Sequence, residues 1–186
     1  MTTSTALARI EFGPQDLAEI KASIMPRDAT DGELRHFTAV CQHLGLDPFA
    51  RQIYAIRRGQ GRPLTIQIGV DGYRSLAEAT GEYEGQTAPQ WCGEDGQWVD
   101  VWLKPVLPAA ARVGVYRRGF RDATYGIALM AEFAQNSDTW KAMPSHMLAK
   151  VAEVAALKRA FPQVFLTVRQ QARAEAVEVA EDAAIE

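Results

Sequence analysis

Hydrophobic and polar positions repeat with two different periods along the chain. Leu34, Phe37, Cys41 and Leu44 recur at helical spacing, which puts an apolar stripe on one face of a helix. Thr30-Asp31-Gly32-Glu33 precedes the stripe with the Ser/Thr-x-x-Glu form of a capping box, and Gly45 stands just past it. Together they predict a helix that opens at Thr30 and stops at Gly45. Period two then takes over. Ile53 and Ala55 alternate with Tyr54 and Ile56, and Leu64, Ile66 and Ile68 alternate with Thr65 and Gln67. The glycine-rich Gly59-Gln60-Gly61-Arg62 separates these runs, so 52–58 and 63–69 read as a β-hairpin. Asp71 caps a short helix reaching about Ala79, with Gly81 beyond it.

Strand-like runs follow at 86–91, 97–103, 111–117 and 124–133. Their turns fall at 92–96 and 118–122, and Pro105 and Pro108 mark a looser connection. Pro144 precedes the strongest helical pattern, Ser145 to about Ala160, whose expected buried side is Met147, Leu148, Val151, Val154, Ala155 and Leu157. Pro162 interrupts it, and an Ala/Glu/Gln-rich helical or disordered tail follows. The order predicts an α+β fold: N-terminal helices, a β-hairpin and a small antiparallel sheet packed with a long C-terminal helix. Residues 1–13 read as a flexible N-terminus, 14–165 as one core domain and 166–186 as an acidic tail.

Composition narrows the class without naming a function. A chain of 186 residues with 47% hydrophobic and 23% charged residues can bury a real core. Its two cysteines, Cys41 and Cys92, are too few for a disulfide framework. No secretory signal is visible, and no uncharged apolar run approaches the roughly 18 residues of a membrane span. An intracellular, reduced protein is expected, with no membrane partner. Cys41 lies on the apolar stripe of its helix and reads as core; His36 and His43 stand near it, but no fourth ligand completes a metal site.

Charge changes the picture more. The net charge is −3, yet it is unevenly spread. Residues 1–50 carry four basic and seven acidic side chains, and residues 51–121 carry ten and seven. Residues 141–173 hold six basic residues against the single acid Glu153, whereas 174–186 hold five acids and no base. Local charge sets the field that a phosphate backbone meets, so two basic stretches are compatible with nucleic acid. A solvated helix face and a solubilising tail would give the same counts. The tail invites a further expectation, that it competes with DNA for the basic residues.

Catalytic signatures are missing. There is no G-x-x-x-x-G-K-[ST], H-E-x-x-H, C-x-x-C or G-x-S-x-G. Asp95 and Asp100 flank Trp98 near Lys104 and leave a metal-dependent nuclease as an alternative, although Asp95 sits in a Gly-Glu-Asp-Gly stretch where aspartate serves a turn. What remains is basic residues interleaved with aromatics, the combination that binds single-stranded nucleic acid through phosphate contacts and base stacking. The candidates are Arg57, Arg58 and Arg62 at the hairpin tip, Arg74 after Tyr73, Arg117, Arg118 and Arg121 around Phe120, and Trp140-Lys141. Lys150, Lys158 and Arg159 complete the set on the final helix. At 100° per residue Lys150 and Lys158 lie about 80° apart and share a face. Aromatic residues in strands are more often core.

Three blocks then carry a resemblance. The first is Gly45-Leu46-Asp47-Pro48-Phe49-Ala50-Arg51-Gln52-Ile53-Tyr54-Ala55; the second is Ile68-Gly69-Val70-Asp71-Gly72-Tyr73-Arg74, continuing through Ala77-Glu78 to Thr80-Gly81. The third is Trp140, Met143-Pro144, Met147-Leu148-Ala149-Lys150, Ala152-Glu153 and Leu157-Lys158-Arg159-Ala160-Phe161-Pro162. In this order and spacing the chain resembles the RecT/Redβ family of phage single-strand annealing proteins, over roughly residues 30–165. The resemblance implies ATP-independent, non-enzymatic annealing in homologous recombination, with no cofactor and no catalytic metal, on ring or helical-filament oligomers. A passive coat protein for single strands is the remaining alternative. The resemblance implies single-stranded DNA and annealed duplex as partners, a phage exonuclease that produces the strand, a host single-strand binding protein, and the cytoplasm of a bacterial host. It also implies that Lys150, Lys158 and Arg159 line a DNA groove near Trp140 and the hairpin around Arg58, with the choice between Lys158 and Arg159 left open.

Overall fold

The computed structural model describes residues 10–59 and 61–164. The expected flexible N-terminus falls largely, and the acidic tail entirely, outside the described residues. The chain divides into two compact units, one built from residues up to Thr80 and from Gln163 onward, the other from Gly81–Pro162.

In the first unit, α1 (Pro14–Glu19) begins on a proline and runs on as a π-helical segment, Ile20–Ile24. The capping box forms as the sequence predicts: Thr30 N–H donates to the Glu33 carboxylate at 2.8 Å, and Thr30 Oγ1 accepts from the Glu33 amide at 3.2 Å. α2 (Asp31–Leu44) starts there and ends at Gly45, whose φ of 61° is the left-handed conformation a helix C-terminus favours. Phe37, Val40, Cys41 and Leu44 turn inward and are buried. β1 (Ile53–Ile56) and β2 (Thr65–Ile68) form the expected antiparallel hairpin, with Ile53 opposite Ile68 and Ile56 opposite Thr65. α3 (Val70–Glu78) follows.

Two of the three motif blocks meet here in one structural knot. Asp47 Oδ1 accepts from the Phe49 amide at 2.8 Å, and Gln52 Oε1 accepts from the Asp47 amide at 2.9 Å. The Gln52 carbonyl accepts from the Gly69 amide at 2.9 Å. The approach is so close that a Cβ on Gly72 would lie 2.2 Å from the Gln52 carbonyl oxygen. Arg51 takes a φ of 57° within this turn, a conformation that costs an L-residue about 1–2 kcal/mol.

The second unit is a four-stranded antiparallel sheet centred on β5. β3 (Tyr83–Gln86) and β4 (Gln90–Cys92) share one edge of β5 (Ala110–Arg117), and β6 (Thr124–Leu129) pairs along the other, with Ala111 opposite Ala128 and Val113 opposite Gly126. Two short helices, α4 (Met130–Phe133) and α5 (Asp138–Ala142), lead to α6 (Pro144–Ala160), the long helix that the sequence predicts, which packs across β5 and β6. Gly126 permits that packing: a Cβ there would lie 2.1 Å from the Ala152 carbonyl oxygen and 2.3 Å from the Ala156 nitrogen. Ala111, Val113, Ala128, Met130, Trp140, Leu148 and Ala152 make the core between helix and sheet.

The α+β architecture is as expected, and three strand assignments need correction. The run 86–91 is broken into β3 and β4, with Pro89, which has no N–H to give a ladder, lying between them. The run 97–103 is not a strand: it makes one bridge, Val99 with Trp91, through hydrogen bonds of 2.8 and 2.9 Å. β4, the strand it bridges, is only three residues long, and the contact does not extend into a ladder. The run 124–133 ends as a strand at Leu129 and turns into α4.

Candidate nucleic-acid interface

Within the first unit the hairpin positions three of the nominated arginines, and they differ in what they touch. Arg57 is held by carboxylates: its guanidinium meets Glu33 at 2.7 Å and Asp28 at 3.1 Å, and it also donates to the Arg62 carbonyl. Only 12% of its side chain is exposed. Arg58 and Arg62 stand exposed on either side of the turn, where Gly59 and Gly61 adopt φ of 104° and 71°. Arg74 is paired with Asp71 at 2.7 Å, one turn back on α3.

The second unit holds the other candidates. Arg117 is tied into the scaffold: it pairs with Glu82 at 2.8 Å, donates to the Ala160 carbonyl at 2.6 Å, and lies 5.1 and 5.2 Å from the Phe120 and Phe161 ring centres. It thereby places a cation at the C-terminal end of α6, where the helix dipole favours one. Arg118 is loosely paired with Glu84 at 3.4 Å, and Arg121 is exposed in the same turn. Ser137 caps α5 by accepting from the Trp140 amide at 3.4 Å. The Trp140 ring points into the core beside Leu148 and Ala152 and is 6% exposed, while its neighbour Lys141 faces solvent.

On α6 the buried residues are Leu148, Ala149, Ala152, Glu153, Ala156, Leu157 and Ala160. That arc lies somewhat to one side of the expected one, leaving Val154 and Ala155 half-buried. Lys150 and Lys158 fall on the opposite arc, half-buried and exposed respectively. Arg159 sits at the arc's edge and donates to the Tyr125 carbonyl at 3.0 Å. Among the described residues, no acid pairs with Arg58, Arg121, Lys141 or Lys150.

Arg112 is not among the residues nominated from the sequence, although a cation in the middle of the apolar run 109–115 is a signal in itself. Its guanidinium carbon lies 4.4 Å from the Trp98 ring centre and 5.4 Å from that of Tyr125. Its Nε donates to Gln90 Oε1 at 2.8 Å, and Gln90 in turn donates to Asp100 at 2.8 Å.

The acids nominated for a nuclease centre have other partners. Asp95 accepts from the Gln97 amide at 3.1 Å, the largest cause of its lowered pKa, and pairs with Lys104 at 3.5 Å. Asp100 serves Gln90. Among the described residues no three His, Cys, Asp or Glu side chains gather where a metal could be held. Burial, with the Asp47 charge adding to it, pushes the Cys41 thiol up to about 12, so at neutral pH it is an uncharged core group. No helix among the described residues is long and apolar enough to cross a membrane.

The described residues thus define an α+β chain that sets solvent-facing cations and aromatic rings on a helix-and-sheet scaffold. Sequence comparison gives the family: the RecT family matches residues 11–185, and the chain belongs to it. Membership implies single-strand annealing in DNA recombination and binding of single-stranded DNA. No curated protein matches the chain.

Proposed function

We propose that this chain anneals complementary single strands without ATP, as a ring or helical oligomer that holds an extended strand with its bases available. The observation that carries this reading is the RecT match across nearly the whole chain. Phosphate contacts come from Arg58, Arg62, Arg118, Arg121, Lys141, Lys150, Lys158 and Arg159. Such contacts carry no base information, so binding is independent of sequence. Arg57, Arg74, Arg117 and Trp140 hold the hairpin, α3 and α6 in place and so position the cations around them. The strand is produced by an exonuclease partner, and a host single-strand binding protein hands it over.

The test is the annealing rate of complementary labelled oligonucleotides, with and without protein, in the absence of ATP and with magnesium present. Faster pairing with strands of unchanged length is the expected result. Binding without acceleration would make the chain a passive coat, and shortened strands would make it a nuclease.

A further inference from the structure

The β5–β6 ribbon has two faces, and α6 covers one of them through Ala111, Val113, Gly126 and Ala128. Alternation puts Arg112, Tyr116, Tyr125, Ile127 and Leu129 on the other. Tyr116, Tyr125, Ile127 and Leu129 are 42–49% exposed, so this face is open. Its aromatic groups are ordered. Gly114 lies opposite Tyr125, and a Cβ at Gly114 would come 3.0 Å from Tyr125 Cε1; without it the ring settles on the sheet. The Arg112 guanidinium carbon lies 5.4 Å from the centre of that ring and 4.4 Å from the centre of the Trp98 ring.

Arg112 decides what such a face suits. Arg57, Arg74, Arg117 and Arg118 all have carboxylate partners, whereas among the described residues Arg112 has none. An apolar protein surface laid over it would strip water from a charge with no carboxylate in direct contact, which is costly. Nucleobases meet both demands, because they stack on tyrosine and tryptophan rings and their strand brings the negative charge of its phosphates to the cation between those rings. We infer that the outer face of this sheet is a base-stacking platform for single-stranded DNA, formed by Trp98, Arg112 and Tyr125. Gln90 and Asp100 act as positioning residues that fix the guanidinium edge. The inference rests on the reading of the chain as a strand-binding protein, and adds to its phosphate contacts a surface that recognises bases.

The full chain is tested by fluorescence anisotropy against labelled oligo-dT and an abasic oligonucleotide of the same length, which keeps the phosphates and removes the bases. Wild-type protein binds oligo-dT more tightly than the abasic strand. Tyr125→Ser weakens oligo-dT binding roughly tenfold, the order expected for one lost stack, and leaves abasic binding as it was; Tyr125→Phe restores the difference. Trp98→Ser, outside the sheet, shows the same selective loss. Equal wild-type affinity for both strands overturns the platform while leaving strand binding intact. So does a Tyr125→Ser variant weakened equally on both, or one unchanged on oligo-dT but altered in sedimentation, which would assign the face to a protein. Failure of the wild type to bind either strand overturns the strand-binding reading itself.

Discussion

Glu33 closes the capping box of α2 and receives the Arg57 guanidinium on both carboxylate oxygens, at 2.7 and 2.8 Å. Burial raises its pKa, but the hydrogen bonds from Thr30 and Arg57 together outweigh that, so the carboxyl titrates below its ordinary value of 4.5. A carboxyl with a lower pKa folded than unfolded adds stability that is complete above the unfolded value and is lost as pH falls through the folded one. Glu33→Gln is therefore expected to cost about 1 kcal/mol at pH 7 and to flatten the decline in stability below about pH 4.5. Thermal melts from pH 3 to pH 7 check this; an unchanged acid limb would remove Glu33 from it. Arg57 shows the limit of reading residues singly. Its place beside Arg58 suggested a solvent-facing cation, and only the fold brings Asp28 and Glu33 to it across 29 and 24 residues.

α6 depends on a strand that gives way to it. Replacing Gly126 by alanine sets a methyl group 2.1 Å from a backbone oxygen of the helix, so the helix must lift. Overpacking of this kind costs roughly 1–3 kcal/mol or more, and calorimetry of Gly126→Ala should show a melting temperature lower by about 5 °C or more. A melt unchanged within error would mean that the helix shifts at no cost. The elements readable beforehand were those with local punctuation. The capping box and Gly45 bounded α2, two glycines marked the hairpin, and Pro144 opened α6. The segment 97–103 alternates like a strand yet makes a single bridge to the three-residue β4; a strand also needs a partner long enough to pair with, which no local pattern reveals. Trp140 beside Lys141 looked like a stacking pair, yet the α5 cap turns the ring into the core; aromatic character alone does not distinguish a platform from packing. Arg112 could be found in the sequence as a charge among apolar positions, but its two rings come from Trp98 and Tyr125, which only pairing with β4 and β6 assembles.

At the scale of the molecule, a net charge of −3 is no obstacle to binding a polyanion when the acids are held in ion pairs or gathered elsewhere in the sequence. Log affinity for single strands should fall linearly with log salt, by about 0.7 per phosphate neutralised. The Lys150→Ala, Lys158→Ala double variant is expected to bind all sequences more weakly and to lose roughly 1.4 from that slope. Titrations between low and physiological salt measure it, and an unaltered slope would take both lysines out of phosphate contact.

β6 has different neighbours on its two sides: glycine and alanine face the packed helix, and tyrosine, isoleucine and leucine face outward. Because side chains alternate, a slip of one residue would drive Tyr125 and Ile127 into α6 and expose Gly126 and Ala128. Insertions and deletions are therefore barred between Thr124 and Leu129, while the turn 118–122 lies outside the β5–β6 ladder and can change length. A length change there preserves the strand at its six residues but moves Arg118 and Arg121, so its cost falls on strand binding and not on the fold.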